Sequence, residues 1–301
     1  MAEQIELEIP ATLDGARVDK AVAELLEVSR GRASQLIELG ALLDGNPARS
    51  SDRVTTGQVI TISQPELTGA LEPEEVEFTV LFADDDVIVV DKPAGIVVHP
   101  GTGRSRGTLA AGLIRRFPEL VGVGASDRWG LVHRLDKDTS GVLLVARNES
   151  ALESLTEALR RREIGRVYEA LVEGCMASPT GTIDAPIGRD PSRPTRRAIS
   201  HTGKHARTHY EVVRNYPESD VSLLSVALET GRTHQIRVHL AAIGHPVVGD
   251  LAYGATRKDI GAPRTFLHAA RLTFTHPGTG EPMSVEAPLP PDLESVLDDL
   301  S

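Results

Sequence analysis

Between residues 13 and 62 the apolar positions fall first at helical and then at strand spacing. Val18, Ala21, Val22, Leu25 and Leu26 share one face of a 3.6-residue period and predict an amphipathic helix. Ala33, Leu36 and Ile37 predict a second, opened by Ser29 as N-cap and closed by Gly40. A short strand at 41–43, a turn through Asp44, Gly45, Asn46 and Pro47, and a strand at 58–62 complete a compact α/β module. Residues 63–75, SQPELTGALEPEE, lose this periodicity and gather Pro, Gly and Glu, the composition of an interdomain linker. Beyond it, β-branched and apolar runs predict strands at 87–90, 142–146, 168–172, 209–213 and 223–228. Residues 150–162 predict a helix, with Ser150 and Glu153 at capping-box spacing and Ala151, Leu155, Ala158 and Leu159 on one face. The pattern therefore predicts two domains: residues 1–70, with a core at 13–62 plus linker, and residues 71–301. The fold class is α+β, the second domain holding a mixed, mostly antiparallel sheet flanked by helices. No long internal repeat of the solenoid or propeller kind recurs.

Composition narrows the picture. With 301 residues, 40% of them hydrophobic and 25% charged, the chain has the make-up of a globular protein large enough for two cores. No apolar run approaches the roughly 18 residues that span a bilayer, and the acidic start lacks the apolar stretch of a secretion signal. The expected location is cytoplasmic, with no membrane partner. Cys175, the only cysteine, has neither a disulfide partner nor a CxxC neighbour, which fits a reducing compartment. Lys and Arg number 32 against 43 Asp and Glu, a net charge of -11. That balance argues against a protein that coats nucleic acid nonspecifically, so any such contact must come from local basic patches.

The richest chemistry lies in HRLDKDTSG, residues 133–141, where polar groups crowd a loop that feeds directly into the apolar strand at 142–146. A strand-anchored loop holds a carboxylate rigidly yet leaves it reachable. By itself such an aspartate is also an ordinary turn former or ion-pair partner. The string as a whole resembles the signature of the RluA/RluD-type family of ribosomal-RNA pseudouridine synthases. Further motifs of that family follow the same order: DDDVIVVDKPAGIVVHPG at 84–101, RVYEALVEG at 166–174, GRTHQIRVHLAAIGHPVVGD at 231–250 and LHAARLTFTHP at 267–277. Residues 29–62, SRGRASQLIELGALLDGNPARSSDRVTTGQVITI, resemble the S4 RNA-binding domain. Together the two resemblances imply an enzyme that isomerises uridine to pseudouridine, most like the subclass acting on 23S RNA of the large ribosomal subunit.

The family resemblance implies that Asp136 is the catalytic carboxylate, that Arg237 of HQIR pairs with it, and that Tyr168 stacks on the base in the pocket. It implies too that Arg134 enters the RNA in place of the extruded nucleotide. The residue types suit these tasks. The reaction breaks the N1–C1′ bond, turns the uracil and rejoins it through C5 without net redox change, so no redox cofactor is required. A carboxylate that forms an adduct or stabilises charge on the ribose must be ionised, and a neighbouring arginine favours that state. Ile236, Leu240 and Ile243 predict a helix whose first turn aims Arg237 into a cleft. A planar guanidinium at Arg134 can stack in the gap left by a flipped base. One departure is Arg166, where the family pattern commonly has lysine; charge is kept but hydrogen-bond geometry is not.

RNA contacts are expected from Lys20, Arg30, Arg32, Arg49 and Arg53 in the first domain, and from Arg193, Arg196, Arg197 and Lys204 in an arginine-rich loop over residues 184–207. Sequence leaves a solvated charged face as the other reading of both groups. His234 and His239 stand five apart, off the shared helical face that a pair of zinc ligands needs, and no GxSxG, P-loop or Rossmann signature is present. The expectation is an RNA-directed isomerase with no metal and no cofactor, acting as a monomer. The rival is a non-catalytic RNA-binding or ribosome-assembly protein with a degenerate synthase domain.

Overall fold

The computed structural model describes residues 3–26, 30–38, 40–64, 71–100, 106–124, 129–193 and 195–300. The first part runs β1 (Glu3–Glu8), α1 (Val18–Leu25), α2 (Arg30–Glu38), β2 (Leu42–Leu43), β3 (Asn46–Pro47) and β4 (Val59–Gln64). Its strands form one antiparallel sheet in the order β1-β4-β2-β3. The predicted turn tightens to two residues: Asp44 (φ 49°) and Gly45 (φ 78°) are both left-handed, as the twist-compatible two-residue hairpin requires. Val18, Ala21, Val22, Ala33, Leu36 and Ile37 from the helices close over Ile60 and Ile62 of the sheet. Ser29, the expected N-cap of α2, and the side chains of Arg30 and Arg32 lie outside the described residues.

The second part continues with β5 (Thr79–Ala83), β6 (Val87–Lys92), α3 (Leu109–Arg116), β7 (Ser140–Ala146), α4 (Glu149–Arg161), β8 (Gly165–Glu173), β9 (Thr180–Asp184), β10 (Ile187–Arg189), β11 (Arg197–Ile199), β12 (Arg207–Tyr216), β13 (Val221–Leu228), α5 (Gln235–Ala242), β14 (Leu267–Thr275), β15 (Pro282–Glu286) and α6 (Pro291–Asp298). A nine-stranded sheet runs β5-β6-β7-β14-β8-β13-β12-β9, with β15 on β14. Its pairings are antiparallel except that of β7 with β14, which meet in parallel at Ser140–His268 and Gly141–Ala269. The mixed, mostly antiparallel sheet is the one expected.

Around β6 and β7 both faces of this sheet are covered, which is why these two strands read as continuous apolar runs. Ile88, Val90, Leu143 and Val145 face α3, α5 and α6, while Val87, Val89, Val142 and Leu144 face Ala151 and Leu155 of α4. Leu143 and Leu144 are both fully buried, and truncating either to alanine costs about 2–5 kcal/mol.

The structure moves two boundaries. Helix α4 begins at Glu149 and is capped by Asn148, whose side-chain oxygen accepts the Ala151 N–H at 2.8 Å, so Ser150 and Glu153 do not form the capping box. Asn148 also donates to Asp86 at 2.9 Å, a tertiary tie that helical periodicity does not encode. The segment read as linker is partly structured at both ends: β4 runs to Gln64, and Leu71 is buried in the main core.

Candidate active site

The HRLDKDTSG segment forms the loop entering β7, and its backbone carbonyls are held one after another. Asp136 O accepts Thr139 N–H at 3.2 Å, and Lys137 O accepts Gly95 N–H at 2.9 Å. Lys92, fully buried at the end of β6, donates from Nζ to Lys137 O at 3.2 Å and to Pro93 O and Ile96 O at 2.8 and 3.0 Å. Arg264 Nη1 donates to Asp138 O at 3.1 Å, and the same guanidinium grips Asp292 of α6 at 2.6 and 3.0 Å. Gly141 completes the turn with φ +112°, where an added Cβ would lie 2.2 Å from Ala269 O. Only glycine allows β7 and β14 to approach there.

So held, Asp136 presents its carboxylate to a cavity of about 490 Å³ lined by residues of the β7 loop, β8, the end of β13 and the start of α5. Arg237 Nη1 donates to Asp136 Oδ2 at 3.2 Å, so the expected pairing forms. The fork of that guanidinium faces elsewhere: Nε and Nη2 grip Asp250, a buried carboxylate, at 2.6 and 2.9 Å. Burial alone would pull Arg237 down, but Asp250 and then Asp136 outweigh it and hold the arginine above its ordinary range. Arg237 also sits 5.0 Å from the centre of the Tyr253 ring.

His234 Nε2 stands 3.9 Å from Asp136 Oδ1, and its Nδ1 is 2.7 Å from the Tyr253 hydroxyl. Burial lowers the His234 pKa against the pull of Asp136, which favours a neutral ring. That tyrosine hydroxyl also accepts the backbone N–H of Arg197 at 2.9 Å, tying β11 to the site. Tyr168 of β8 is 6% exposed and lines the cavity; burial raises its pKa, Arg166 lowers it and Asp136 raises it, so the phenol stays protonated. His133 Nε2 accepts Leu144 N–H at 3.1 Å, and burial, then the charge of Arg166, holds its pKa at about 3. The neutral ring therefore carries its hydrogen on Nδ1.

Asp136, Tyr168, Arg237 and Arg134 all line this one cavity, Arg134 at its exposed rim with Nη1 3.4 Å from His99 Nε2. The basic segment is a hairpin, β10 pairing with β11, and not the open loop expected; Arg193 and Arg196 lie between its strands. Arg193 and Lys204 are exposed, whereas Arg196 and Arg197 are half-buried. Lys20, Arg49 and Arg53 are exposed on the first part, far along the chain from the cavity residues. There the 49–53 segment packs on the start of α1, Ser50 O and Asp52 O accepting Asp19 N–H and Val18 N–H. Sequence reasoning missed Lys92, Arg264, Asp250 and Tyr253. The first and third lie inside the quoted motifs, but no spacing shows that their side chains converge.

Residues 86–242 match the family described as RNA pseudouridylate synthase. An uncharacterized RNA pseudouridine synthase of Chloroflexus aurantiacus is 45% identical over 299 residues, covering 98% of this chain and 93% of that protein. Ribosomal large subunit pseudouridine synthase D of Nitrosomonas europaea is 44% identical over 304 residues, covering 97% of this chain and 87% of that one. Among solved structures, human RNA Pseudouridylate Synthase Domain Containing 1 superposes with a TM-score of 0.58 at 31% identity, over 73% of this chain and 87% of the human chain. With such identity along nearly its whole length, the chain belongs to the RNA pseudouridylate synthase family.

Proposed function

We propose that this synthase isomerises specific uridines of 23S ribosomal RNA in the large subunit, with Asp136 as the catalytic carboxylate. The observation that carries the reading is the Asp136 carboxylate, ion-paired to Arg237, beside Tyr168 in a single cavity. The relatives named for the large ribosomal subunit support the substrate. Asp136 attacks C1′ or stabilises charge on the ribose as the N1–C1′ bond breaks, and Arg237 Nη1, donating to Oδ2 at 3.2 Å, orients the carboxylate for either task. Tyr168 gives the flipped base a stacking face. Arg134, at the rim, fills the space the nucleotide leaves.

RNA outside the pocket meets Arg193, Arg196, Arg197 and Lys204 on and beside the β10–β11 hairpin, and Lys20, Arg30, Arg32, Arg49 and Arg53 on an S4-like domain of residues 1–70. Residues 71–301 form the catalytic domain, and the enzyme works as a cytoplasmic monomer without metal or cofactor.

Release of tritium from 23S transcript labelled at uridine C5 tests the assignment, since C5 loses its hydrogen when it joins C1′. Asp136→Asn should slow release by about a thousandfold or more while changing RNA affinity no more than about threefold. Retained turnover would remove Asp136 from catalysis. An inactive wild type that still binds RNA tightly would favour the ribosome-assembly alternative.

A further inference from the structure

The arginines around the cavity are almost all engaged. Arg160 pairs with Glu157, Arg162 with Glu229, and Arg237 with Asp250 and Asp136; Arg232 donates to His205 O. Arg166 is different. It is 7% exposed, its Nε is sealed from solvent, and among the described residues it has no hydrogen-bond or ion-pair partner. An unpaired buried guanidinium is costly to a fold, and its terminal nitrogens, which unlike Nε are not sealed, are the groups that a ligand in the cavity can meet.

Three neighbours show what that ligand is. Arg166 lies two residues before Tyr168 on β8, so both side chains leave the strand on one face and line the same cavity as Asp136. Gly231 faces the arginine: a Cβ there would come within 2.5 Å of Nη1, so the missing side chain makes room for the guanidinium. The third is His133, which lines the cavity too; its Nε2 accepts Leu144 N–H, and burial with the charge of Arg166 keeps its ring neutral, so it does not compete with Arg166 as a cation. Arg166 thus borders the same pocket as Asp136 as a guanidinium that, among the described residues, no carboxylate neutralises, whereas Arg160, Arg162 and Arg237 are each ion-paired.

We propose that Arg166 is a catalytic residue that receives the detached uracil and stabilises its negative charge. The proposal rests on the reading that uridine is isomerised beside Asp136, by a route in which the base leaves the sugar. When the N1–C1′ bond breaks heterolytically, its electron pair stays on the uracil, whose charge spreads over N1, O2 and O4. The ribose carbon is left electron-poor and meets Asp136. After the ring turns, C5 bonds to C1′, C5 loses its hydrogen as a proton and N1 gains one. Substrate and product are isomers, and no co-reactant enters. Arg166 only donates hydrogen bonds and transfers no proton. Its planar fork matches adjacent acceptors such as O2 and N1. The pocket is then polarised along the line on which the substrate splits, a carboxylate for the sugar and a guanidinium for the base. Such preorganised charge acts on the transition state without reorganising.

Full-length Arg166→Met, Arg166→Lys and Gly231→Ala, with Asp136→Asn alongside, test this in single-turnover assays on saturating 23S transcript, together with melting curves and RNA affinity. Arg166→Met should melt at or above the wild-type temperature, because a buried unpaired charge is gone. Its saturating rate should fall about a hundredfold or more, with affinity within about threefold. Arg166→Lys should recover about tenfold of that loss, and Gly231→Ala, which keeps the charge but displaces it, should fall about tenfold. A wild-type rate in Arg166→Met overturns the proposal. So does a loss confined to affinity, which would assign the arginine to a phosphate, or a lower melting temperature that Arg166→Lys fails to restore, which would make it structural. Asp136→Asn separates the two readings: if it stays active the site itself is wrong, whereas an inactive Asp136→Asn beside a full-speed Arg166→Met rejects the role of Arg166 alone.

Discussion

One guanidinium serves two carboxylates in this site, and the division is uneven. Arg237 gives its fork to Asp250 and a single Nη1 bond to Asp136, so Asp250 fixes the plane from which Asp136 is held. Asp250 is 1% exposed, and removing one partner of a buried pair leaves the other charge uncompensated. Asp250→Asn should therefore destabilise the protein by about 3 kcal/mol in urea unfolding and lower the rate about tenfold at saturating RNA. Arg237→Lys should be slower still, by about a hundredfold, because an ammonium is a single point of charge and cannot span both carboxylates. An Asp250→Asn enzyme of unchanged stability and rate would show that Asp136 is held without it. At this scale the sequence exposes residue types but not their directions. Asp136, Tyr168 and Arg237 were legible because each sits in a distinctive string. That the fork of Arg237 turns to Asp250, or that Arg207 of the basic segment is spent on Asp184 at 2.7 Å, depends on side-chain geometry that no string encodes.

At the scale of elements, β6, β7, β8, β12, β13 and α4 were legible because burial on both faces, or on one stripe, leaves a periodic trace, whereas the nine-residue β14 was read only as a family motif. Elements without such a trace were missed. Helix α3, LAAGLIRR, is eight residues of mostly small or apolar side chains, and β9 to β11 are short and half-exposed. Strand β1 does alternate, Ile5 and Leu7 with Glu6 and Glu8, but its acid content reads as a terminus. The loop before β7 depends on one element more than the motif suggests, for β6 ends on Lys92. Burial pulls this lysine down to about 7 despite Asp138 and Asp136, with Arg264 lowering it further and Asp91 opposing. The sign follows from linkage. The unfolded lysine titrates near 10.5, so between about 7 and 10.5 the unfolded state binds more protons and stability rises with pH; below about 7 both states hold the proton, the destabilisation is present in full and the pH dependence ends. Lys92→Met abolishes that dependence. Between pH 7 and 9 the stability difference between wild type and Lys92→Met should move toward wild type by roughly 1–2 kcal/mol in urea unfolding. A difference that stays flat over this range would mean that Lys92 keeps its charge in the fold, as its three carbonyl acceptors favour.

For the whole molecule, the question is whether the two parts are independent in folding and joined in function. The loss of periodicity over residues 63–75 made a division legible, and the structure gives each side its own apolar core, one built on Ile60 and Ile62 and one on the nine-stranded sheet. The precise junction was not legible, because Leu71 enters the second core as a single residue among Pro, Gly and Glu. A cut just before Leu71 should thus leave 71–301 folded, with a melting temperature within a few degrees of the parent transition. Its catalytic pocket would be complete, since the cavity is lined by residues from Val132 onward. What the shortened enzyme loses is binding energy remote from the chemistry, including the positive charges at Lys20, Arg49 and Arg53. On a short hairpin that reaches only the pocket, its kcat/KM should stay within about threefold of the full chain; on intact 23S transcript it should drop about tenfold or more, chiefly in KM. The gap should narrow as salt is raised, the behaviour expected where basic side chains meet phosphates. Equal losses on both RNAs, or a shortened chain that fails to fold, would show that residues 1–70 complete the catalytic domain and do not dock the substrate.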